Sequence, residues 1–283
     1  MDSALAAKRK ALDADLAALA RVVVAYSGGV DSSFLAAAAH DVLGDNCLVV
    51  TASSPSLAER ALEDARALAR SRGWKHLVVP TQEVLRERYA RNAPDRCYWC
   101  KTELFDVLGP LARQRHARIA VGTNADDLGD FRPGIKAAAR RGVRAPLADA
   151  SLTKADVRAL SAEAGLSTAD KPASPCLASR FAYGVRVTEE GLRRIDRAEE
   201  AMRTLGFGDL RVRDHGDLAR IEVPADEVER AASLRGEIAA LMKDLGFAYV
   251  TLDLTGLRSG SLNEVLGPPR IRGNHTGWPG VGG

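Results

Sequence analysis

Short apolar runs alternate with longer amphipathic segments through the first half of the chain. Four runs contain β-branched residues and are short enough to be buried strands, at residues 21–26, 47–52, 75–79 and 118–121. Segments with apolar residues at helical spacing predict helices at 34–44, 57–72, 97–116 and 153–164. This alternation predicts an α/β fold in which helices cover both faces of a mostly parallel sheet.

The pattern changes in the second half. A helix that begins at Thr188 and ends at Gly206 is followed by short strands at 210–213 and 219–223, with a turn at 215–217. A long helix over 225–245 and a strand over 249–254 complete a smaller α+β domain. We predict a nucleotide-sized domain at 1–167, a linker loop at 168–187, a domain for substrate binding or oligomerisation at 188–266 and a flexible tail at 267–283.

Composition narrows the class of partner. Hydrophobic residues make up 46% of the 283 and charged residues 27%, as in an ordinary soluble globular protein. A net charge of +3 is too small to indicate a nucleic-acid partner, and no apolar run approaches the roughly 20 residues that span a membrane. Asp2, Asp13 and Asp15 interrupt the N-terminal segment, which does not resemble a signal peptide. We expect a cytoplasmic protein whose four cysteines favour metal or redox chemistry.

The first candidate site is the segment S-G-G-V-D-S-S, residues 27–33, between the first predicted strand and its helix. Paired glycines let the backbone approach a ligand closely, and the helix N-terminus adds partial positive charge, so the segment suits a phosphate. It is not a Walker A loop, because no Gly-Lys-Ser/Thr closes it. The alternative is an ordinary glycine-rich turn with a Ser or Asp cap.

The same segment matches SGGxDS, the PP-loop of the N-type ATP pyrophosphatases, whose fold is that of the adenine nucleotide alpha hydrolases. This resemblance implies that ATP is cut between its α- and β-phosphates and that an adenylate forms on a carboxylate or carbonyl oxygen. It also implies that Asp31 organises the Mg²⁺ ion that neutralises the leaving group. The residues expected to hold the pyrophosphate are Ser27, Gly28, Gly29, Ser32 and Ser33.

The second candidate site consists of cysteines from two separate segments. Cys97 and Cys100 form a C-x-x-C pair at the start of a predicted helix, where the helix dipole is expected to lower their pKa. Cys176 lies far along the chain in a proline-containing loop, whereas Cys47 lies in a strand pattern and is expected in the core. A redox pair and half of a zinc site are alternatives for the C-x-x-C pair. Three cysteines in two pieces also match a [4Fe–4S] cluster with one open iron, which could carry a sulfide.

Further motifs narrow the resemblance. They are R-C-Y-W-C-K at 96–101, R-P-G-I-K at 132–136, K-P-A-S-P-C-L-A-S-R-F at 171–181, R-V-R at 211–213 and Y-V-T-L-D-L at 249–254. Together with the PP-loop they resemble the LarE family, the sulfur insertases that make the nickel-pincer nucleotide cofactor of lactate racemase. The resemblance implies a pyridinium biscarboxylic acid mononucleotide as substrate. Each carboxylate would be adenylated by ATP–Mg²⁺ and then attacked by sulfur bound at the enzyme.

The resemblance leaves two sources of sulfur open. Some members of the family sacrifice one cysteine, which becomes dehydroalanine. Others carry the C-x-x-C pair and use a sulfide bound to a cluster. In this chain we expect Cys97, Cys100 and Cys176 to hold a [4Fe–4S] cluster that is supplied by an external sulfide donor. A sacrificial Cys176 is the alternative.

Cations are needed for a substrate that bears a phosphate and two carboxylates, and arginine binds such groups in bidentate geometry. Arg211 and Arg213 alternate along one predicted strand and therefore face the same side. Arg180 follows the cysteine loop, and Glu222 on the next strand could orient the arginine pair. Lys101 directly follows the C-x-x-C pair and could stabilise charge on the carboxylate during adenylation. Surface salt bridging is the alternative role for these residues.

Rival functions remain within and outside the enzymes. A PP-loop tRNA thiolase should carry a larger basic surface or an added RNA-binding module. An amidating or NAD synthetase has no use for three such cysteines. A protein that only binds ATP and senses iron is the rival outside the enzymes. The sequence favours an ATP-dependent sulfur transferase, expected to be a homo-oligomer, that acts on a small molecule and has no nucleic-acid or membrane partner.

Overall fold

The computed structural model describes residues 3–129, 133–172 and 175–258. Its first half contains α1 (Ser3–Leu19), β1 (Val22–Ala25), α2 (Val30–Leu43), β2 (Cys47–Ser53), α3 (Glu59–Ser71), β3 (His76–Pro80), α4 (Glu87–Ala90), α5 (Arg96–Gln114) and β4 (Arg118–Val121). The chain continues with α6 (Pro133–Ala139), α7 (Pro146–Asp149), α8 (Lys154–Glu163), α9 (Glu189–Thr204), β5 (Arg211–Asp214), β6 (Leu218–Glu222), α10 (Val228–Ser233), α11 (Arg235–Asp244) and β7 (Tyr249–Leu252).

The larger sheet has four strands in the order β3-β2-β1-β4. Val22 of β1 lies opposite Cys47 of β2 on one side and Arg118 of β4 on the other, and all the pairings are parallel. The predicted α/β fold is therefore confirmed. Because the strands are parallel, the loops that follow β1, β2 and β4 meet at one edge of the sheet, where ligands bind in folds of this type.

Alternate residues of β1 enter different hydrophobic clusters. Val22 and Val24 pack with α1, α2, α3 and α8, whereas Val23 packs with α5 and α6 on the opposite face. The strand is buried on both faces, which explains its uninterrupted valine run. Cys47 lies in the first cluster, where burial raises its pKa to about 12, so its predicted place in the core is confirmed.

The smaller sheet pairs β5 with β6 antiparallel and β6 with β7 parallel, and α9, α10 and α11 cover it. The predicted single helix over 225–245 is wrong. A helical turn at 225–227 precedes α10, which ends at Ser233, and α11 then begins at Arg235. The Ser233 hydroxyl donates to the Arg230 carbonyl at 2.7 Å and competes with main-chain hydrogen bonds near the break.

The ends of the chain differ from the prediction. The apolar pattern did not indicate α1, although its Leu12 and Leu16 are fully buried. Strand β7 ends two residues early, because the Thr255 main chain donates to the Asp253 carboxylate at 2.9 Å and closes a turn. Arg132 and the predicted tail from residue 267 lie outside the described residues. Within the described part of the chain, no helix is both long and apolar enough to cross a membrane.

Candidate active site

The PP-loop, residues 27–33, turns from β1 into α2 with a preformed backbone. Gly28 has φ +72°, and a Cβ atom there would lie 3.1 Å from the Ala65 side chain, so the position favours glycine. The Ser32 hydroxyl lies 3.1 Å from the Ser27 hydroxyl and donates to the Gly29 carbonyl at 3.1 Å. Gly29 is the N-cap residue of α2, and no side chain of the described residues caps this helix end. The first main-chain N–H groups of α2 can therefore bind an anion.

The Asp31 carboxylate contacts two residues that were not predicted. Lys154 Nζ lies 2.6 Å from Oδ2, and the Asn124 amide donates to Oδ1 at 3.2 Å. The other end of the Asn124 amide accepts from the main-chain N–H groups of Asp126 at 3.0 Å and Asp127 at 3.3 Å. Carboxylate oxygens are ligands that Mg²⁺ prefers, so Asp31 fits that ion, whereas Asn124 presents its amide nitrogen to Asp31 and acts as a support for the carboxylate.

The loop after β4 passes close to the main chain of the PP-loop. Gly122 follows β4, and a Cβ atom there would lie 2.8 Å from the main-chain nitrogen of Ser32. A larger residue would push the β4 loop away from the PP-loop, and Asn124 would lose its place beside Asp31. Sequence reasoning missed Asn124 and Lys154. The available signal for Asn124 was Gly-Thr-Asn directly after a buried strand.

The two cysteine segments lie together near the carboxyl end of β2. The main-chain N–H of Leu177, next to Cys176, donates at 2.9 Å to the carbonyl of Ser56 in the loop after β2. Burial and, second, the charge of Cys176 raise the pKa of the Cys97 thiol. The electrostatic influence of Cys176 also reaches Cys100. The three sulfurs therefore share one electrostatic neighbourhood.

The prediction that the helix dipole lowers the pKa of the C-x-x-C pair is wrong. Burial raises the pKa of Cys97, and it raises that of Cys100 to about 12 although Lys101 opposes the shift. Cys97 is exposed on one side, but protein atoms surround enough of its sulfur that desolvation dominates. Both thiols are therefore protonated at neutral pH until a metal ion displaces the proton.

A buried chain of hydroxyl groups lies under the cysteine loop. The Ser56 hydroxyl donates to the Glu83 carboxylate at 3.0 Å and lies 2.7 Å from the Tyr89 hydroxyl. Ser54 donates to the same carboxylate oxygen. Burial and then the charge of Cys176 raise the pKa of Tyr89, which stays a neutral hydrogen-bonding group. The sequence analysis missed this chain, because its members come from three separate segments.

Arg180 is buried and anchors the cysteine loop. Its Nε and Nη2 donate to the two carboxylate oxygens of Glu199 on α9, at 2.8 and 3.2 Å. Its Nη1 donates to the carbonyl of Pro175 at 2.6 Å and to the hydroxyl of Ser179 at 3.0 Å. The guanidinium group therefore ties residues on both sides of Cys176 to α9, which sequence reasoning did not indicate.

Arg211, Arg213 and Glu222 share one face of the smaller sheet. Arg211 lies opposite Glu222 in the β5–β6 ladder, and Arg213 forms an ion pair with Glu222 at 2.7 Å. The other end of the Arg213 guanidinium donates to the Ser179 carbonyl of the cysteine loop at 2.9 Å. Burial and then the positive charge of Arg180 lower the pKa of Arg211. Arg213 and Glu222 are buried, so their ion pair is not a surface salt bridge.

Comparison with known proteins bears on these sites. A family model described as NAD synthase matches residues 10–98, which include the PP-loop. The chain is 48% identical over 251 residues to an uncharacterized protein of Synechocystis sp.. The aligned region covers 88% of this chain and 94% of that protein. It is 38% identical over 264 residues to the pyridinium-3,5-bisthiocarboxylic acid mononucleotide synthase of Lactiplantibacillus plantarum. That aligned region covers 93% of this chain and 96% of the synthase. The chain belongs to the LarE family.

Membership of the LarE family makes the chain an ATP-dependent enzyme of the PP-loop type. A more partial similarity joins it to a tRNA-specific 2-thiouridylase of Xanthobacter autotrophicus, which is 34% identical over 194 residues. That match covers 54% of this chain and 49% of the thiouridylase. The tRNA enzyme therefore shares only part of the LarE chain.

Two LarE motifs meet at Lys101. The Lys101 side chain is exposed, and a Cβ atom on Gly134 would lie 2.9 Å from its Cγ, so the glycine leaves room for the lysine stem. The C-x-x-C motif is thus packed against R-P-G-I-K, whose first residue, Arg132, is outside the described residues.

The cysteines of this LarE chain supply the donor chemistry of an iron–sulfur cluster, since thiolates are its usual ligands. Their placement is less complete. Over residues 3–129, 133–172 and 175–258, no three His, Cys, Asp or Glu side chains form a group that could hold a metal ion. Among the described residues the three cysteines influence one another electrostatically but do not form a closed ligand set.

Proposed function

We propose that this chain adenylates the carboxylates of pyridinium-3,5-biscarboxylic acid mononucleotide with ATP and converts them to thiocarboxylates for the nickel-pincer cofactor of lactate racemase. The observation that carries the proposal is the contact of Arg213 with the Ser179 carbonyl. It puts the arginine face of the smaller sheet against the loop that carries Cys176. An anionic substrate held by Arg211 and Arg213 would lie beside the sulfurs. The similarity to the L. plantarum synthase over nearly the whole chain supports this choice of substrate.

The PP-loop performs the activation step in this proposal. The N–H groups at the start of α2 and the hydroxyls of Ser27, Ser32 and Ser33 receive the pyrophosphate part of ATP. Asp31 would hold a Mg²⁺ ion, which neutralises charge on the leaving group when it is bound. Lys154 then exchanges its ion pair with Asp31 for a phosphate oxygen. Lys101 stabilises negative charge on the substrate carboxylate.

The sulfur site uses residues from both cysteine segments. Cys97, Cys100 and Cys176 would hold a [4Fe–4S] cluster, whose open iron can carry a sulfide taken from an external donor. Arg180 anchors the Cys176 loop to α9, and the Ser56 carbonyl anchors it to the loop after β2. Glu222 orients Arg213, and the Arg180–Glu199 pair supports the same face. A sacrificial Cys176 is the competing source of sulfur.

The division of labour follows the predicted segments. Residues 1–167 would activate ATP, the linker 168–187 would carry Cys176, and residues 188–266 would bind the substrate and join copies of the chain. Tyr249 on the outer strand β7 is 67% exposed, which gives an apolar contact for a homo-oligomer. In this proposal the enzyme acts in the cytoplasm on a small molecule, without a nucleic-acid or membrane partner.

The test is turnover of the anaerobically purified protein with ATP, Mg²⁺, sulfide and the mononucleotide. Pyrophosphate and a product that contains sulfur in place of carboxylate oxygen should appear together, as followed by mass spectrometry. Asp31→Asn, which keeps the size of the side chain but removes its charge, is the control. Binding of ATP without pyrophosphate release would instead support a protein that only binds ATP and senses iron. Sulfur in added tRNA, with none in the mononucleotide, would support a tRNA thiolase.

A further inference from the structure

Asn92, between α4 and α5, is a fully buried polar residue with a left-handed backbone, at φ +56°. Its side-chain amide donates to the carbonyl oxygens of Ala182 at 2.8 Å, Val185 at 3.0 Å and Phe181 at 3.4 Å. Its side-chain oxygen accepts from the Arg96 guanidinium. Three carbonyl partners at one end and a cation at the other fix the orientation of the amide. Both ends of this side chain are therefore used.

The partners of Asn92 belong to the two segments that carry the cysteines. Arg96 is the residue before Cys97 at the start of α5, and it is buried. Phe181 directly follows the helical turn at 177–180, which begins next to Cys176. One side chain thus bridges the C-x-x-C helix and the far end of the Cys176 loop. The bridge joins positions that lie about 90 residues apart in sequence.

Apolar packing also joins the loop to α5, since Trp99 and Cys100 pack against the cluster that contains Leu177, Ala178 and Phe181. Two further hydrogen-bonded anchors of the described part of the loop lead elsewhere. Arg180 ties the loop to Glu199 on α9, and the Leu177 main chain ties it to Ser56 after β2. Neither contact reaches α5. A main-chain bond from Val187 to the Ala90 carbonyl, at 2.8 Å, runs parallel to the Asn92 contacts and ends just before α5. Loss of the Asn92 side chain would leave the loop attached through apolar packing, which is not directional, and would remove the hydrogen bonds that fix its position relative to the residue before Cys97.

We propose that Asn92 is a positioning residue that sets the distance between Cys176 and the C-x-x-C pair. The proposal rests on the proposed function, because it gives that distance a role in delivering sulfur. Its physical basis is separate, since the amide bridges both segments whether the sulfur comes from a cluster or from Cys176 itself. A site of this kind needs its reacting groups held by supporting hydrogen bonds to well under an ångström.

The test uses two substitutions that separate side-chain bonds from backbone strain. Asn92→Gly removes the amide but tolerates the left-handed φ, so it adds no strain of its own. Asn92→Asp keeps the size and the acceptor for Arg96 but turns a carboxylate oxygen toward the carbonyl groups of residues 181–185. Leu160→Ala is the control, because Leu160 is buried in the cluster around α8 and touches neither cysteine segment. It should lower the melting temperature without altering the cysteine site.

The decisive measurement is cross-linking of the iron-free protein with a short bis-maleimide, with peptide mapping of the Cys176 links to Cys97 and Cys100. We expect the share of these links to fall in both Asn92 variants and to stay at the wild-type value in Leu160→Ala. Iron retained against a chelator after anaerobic reconstitution should fall about tenfold in the Asn92 variants. Wild-type cross-linking in a folded Asn92→Gly or Asn92→Asp protein would overturn the proposal. Absence of iron in the wild type would count against the cluster but not against the positioning role, which the cross-links report.

Discussion

Lys154 and Asp31 form an ion pair with 2.6 Å between Nζ and Oδ2, and it joins the first turn of α8 to the first turn of α2. Both side chains are partly exposed, so the pair contributes no more than about 1 kcal/mol to folding. The pair lies beside the uncapped start of α2, where an ATP phosphate would bind. The lysine therefore keeps a cation at the carboxylate in the absence of a metal.

The first prediction concerns this pair. Asp31→Ala should reduce ATP-dependent pyrophosphate release by about a hundredfold or more, because it removes the charge that organises Mg²⁺. The unfolding free energy should change by less than about 1 kcal/mol. Pyrophosphate release and urea denaturation measure the two quantities.

Lys154→Met is the companion variant, since it keeps the length of the side chain and removes the charge. It should bind Mn²⁺ alone more tightly than the wild type, because the metal no longer competes with the ammonium group for Asp31. It should still release pyrophosphate at least about tenfold more slowly, since it lacks a cation for the phosphates. Wild-type release from either variant would contradict the roles assigned to Asp31 and Lys154.

A second prediction separates Arg211 from Arg213. Arg213→Ala leaves the Glu222 carboxylate buried without one of its partners, so it should destabilise the protein by about 3–5 kcal/mol. Arg211→Ala should cost less stability, because Arg211 is only half-buried whereas Arg213 is buried. It should weaken binding of the mononucleotide by about 2 kcal/mol and leave ATP binding unchanged. Calorimetric titration with both ligands measures the difference, and equal losses would give Arg211 a structural role.

A third prediction follows from the raised pKa of Cys97. Desolvation keeps this thiol protonated, so the reactive thiolate is scarcer in the folded protein than in the unfolded chain at pH 8. Iodoacetamide should therefore label Cys97 of the iron-free folded protein more slowly than in urea. The folded-state rate should climb as the pH passes the ordinary thiol value of 9.0. This pH dependence separates a raised pKa from restricted access of the reagent, since access by itself does not follow the titration of the thiol. Faster labelling in the folded protein would mean that the helix dipole dominates.

Local signals in the sequence were reliable where they determine structure by themselves. The valine run of β1, the PP-loop and the Thr153 and Thr188 caps depend on neighbouring residues, and the structure has each of these elements. The break between α10 and α11 was missed, because helical spacing continues across it.

Long-range contacts could not be predicted in the same way. Lys154 reaches Asp31 across 123 positions, and Asn92 reaches Ala182 across 90. No period or spacing in the sequence encodes such a meeting. The predicted direction of the pKa shift at the C-x-x-C pair was wrong for a related reason. The burial that raises the pKa comes from residues that only the fold brings around the pair.

The last prediction decides the source of the sulfur. If Cys97, Cys100 and Cys176 hold one cluster, three thiolates bind three irons and the fourth iron stays open to sulfide. The cysteines then survive, and product can exceed one equivalent per chain when sulfide is supplied. If Cys176 is sacrificed, its Cβ–Sγ bond breaks, the sulfur leaves with the product, and the residue becomes dehydroalanine.

Intact mass spectrometry after anaerobic turnover, together with iron analysis, separates the two sources. We expect an unchanged mass and about four irons per chain. The C-x-x-C pair supports this outcome, because a sacrificial Cys176 has no need of two further thiols in its neighbourhood. Cys97→Ser is the matched variant: it should lose the cluster and multiple turnover, whereas a sacrificial mechanism would keep its single turnover. A chain without iron that has lost the mass of hydrogen sulfide at Cys176 would show that the cluster assignment is wrong.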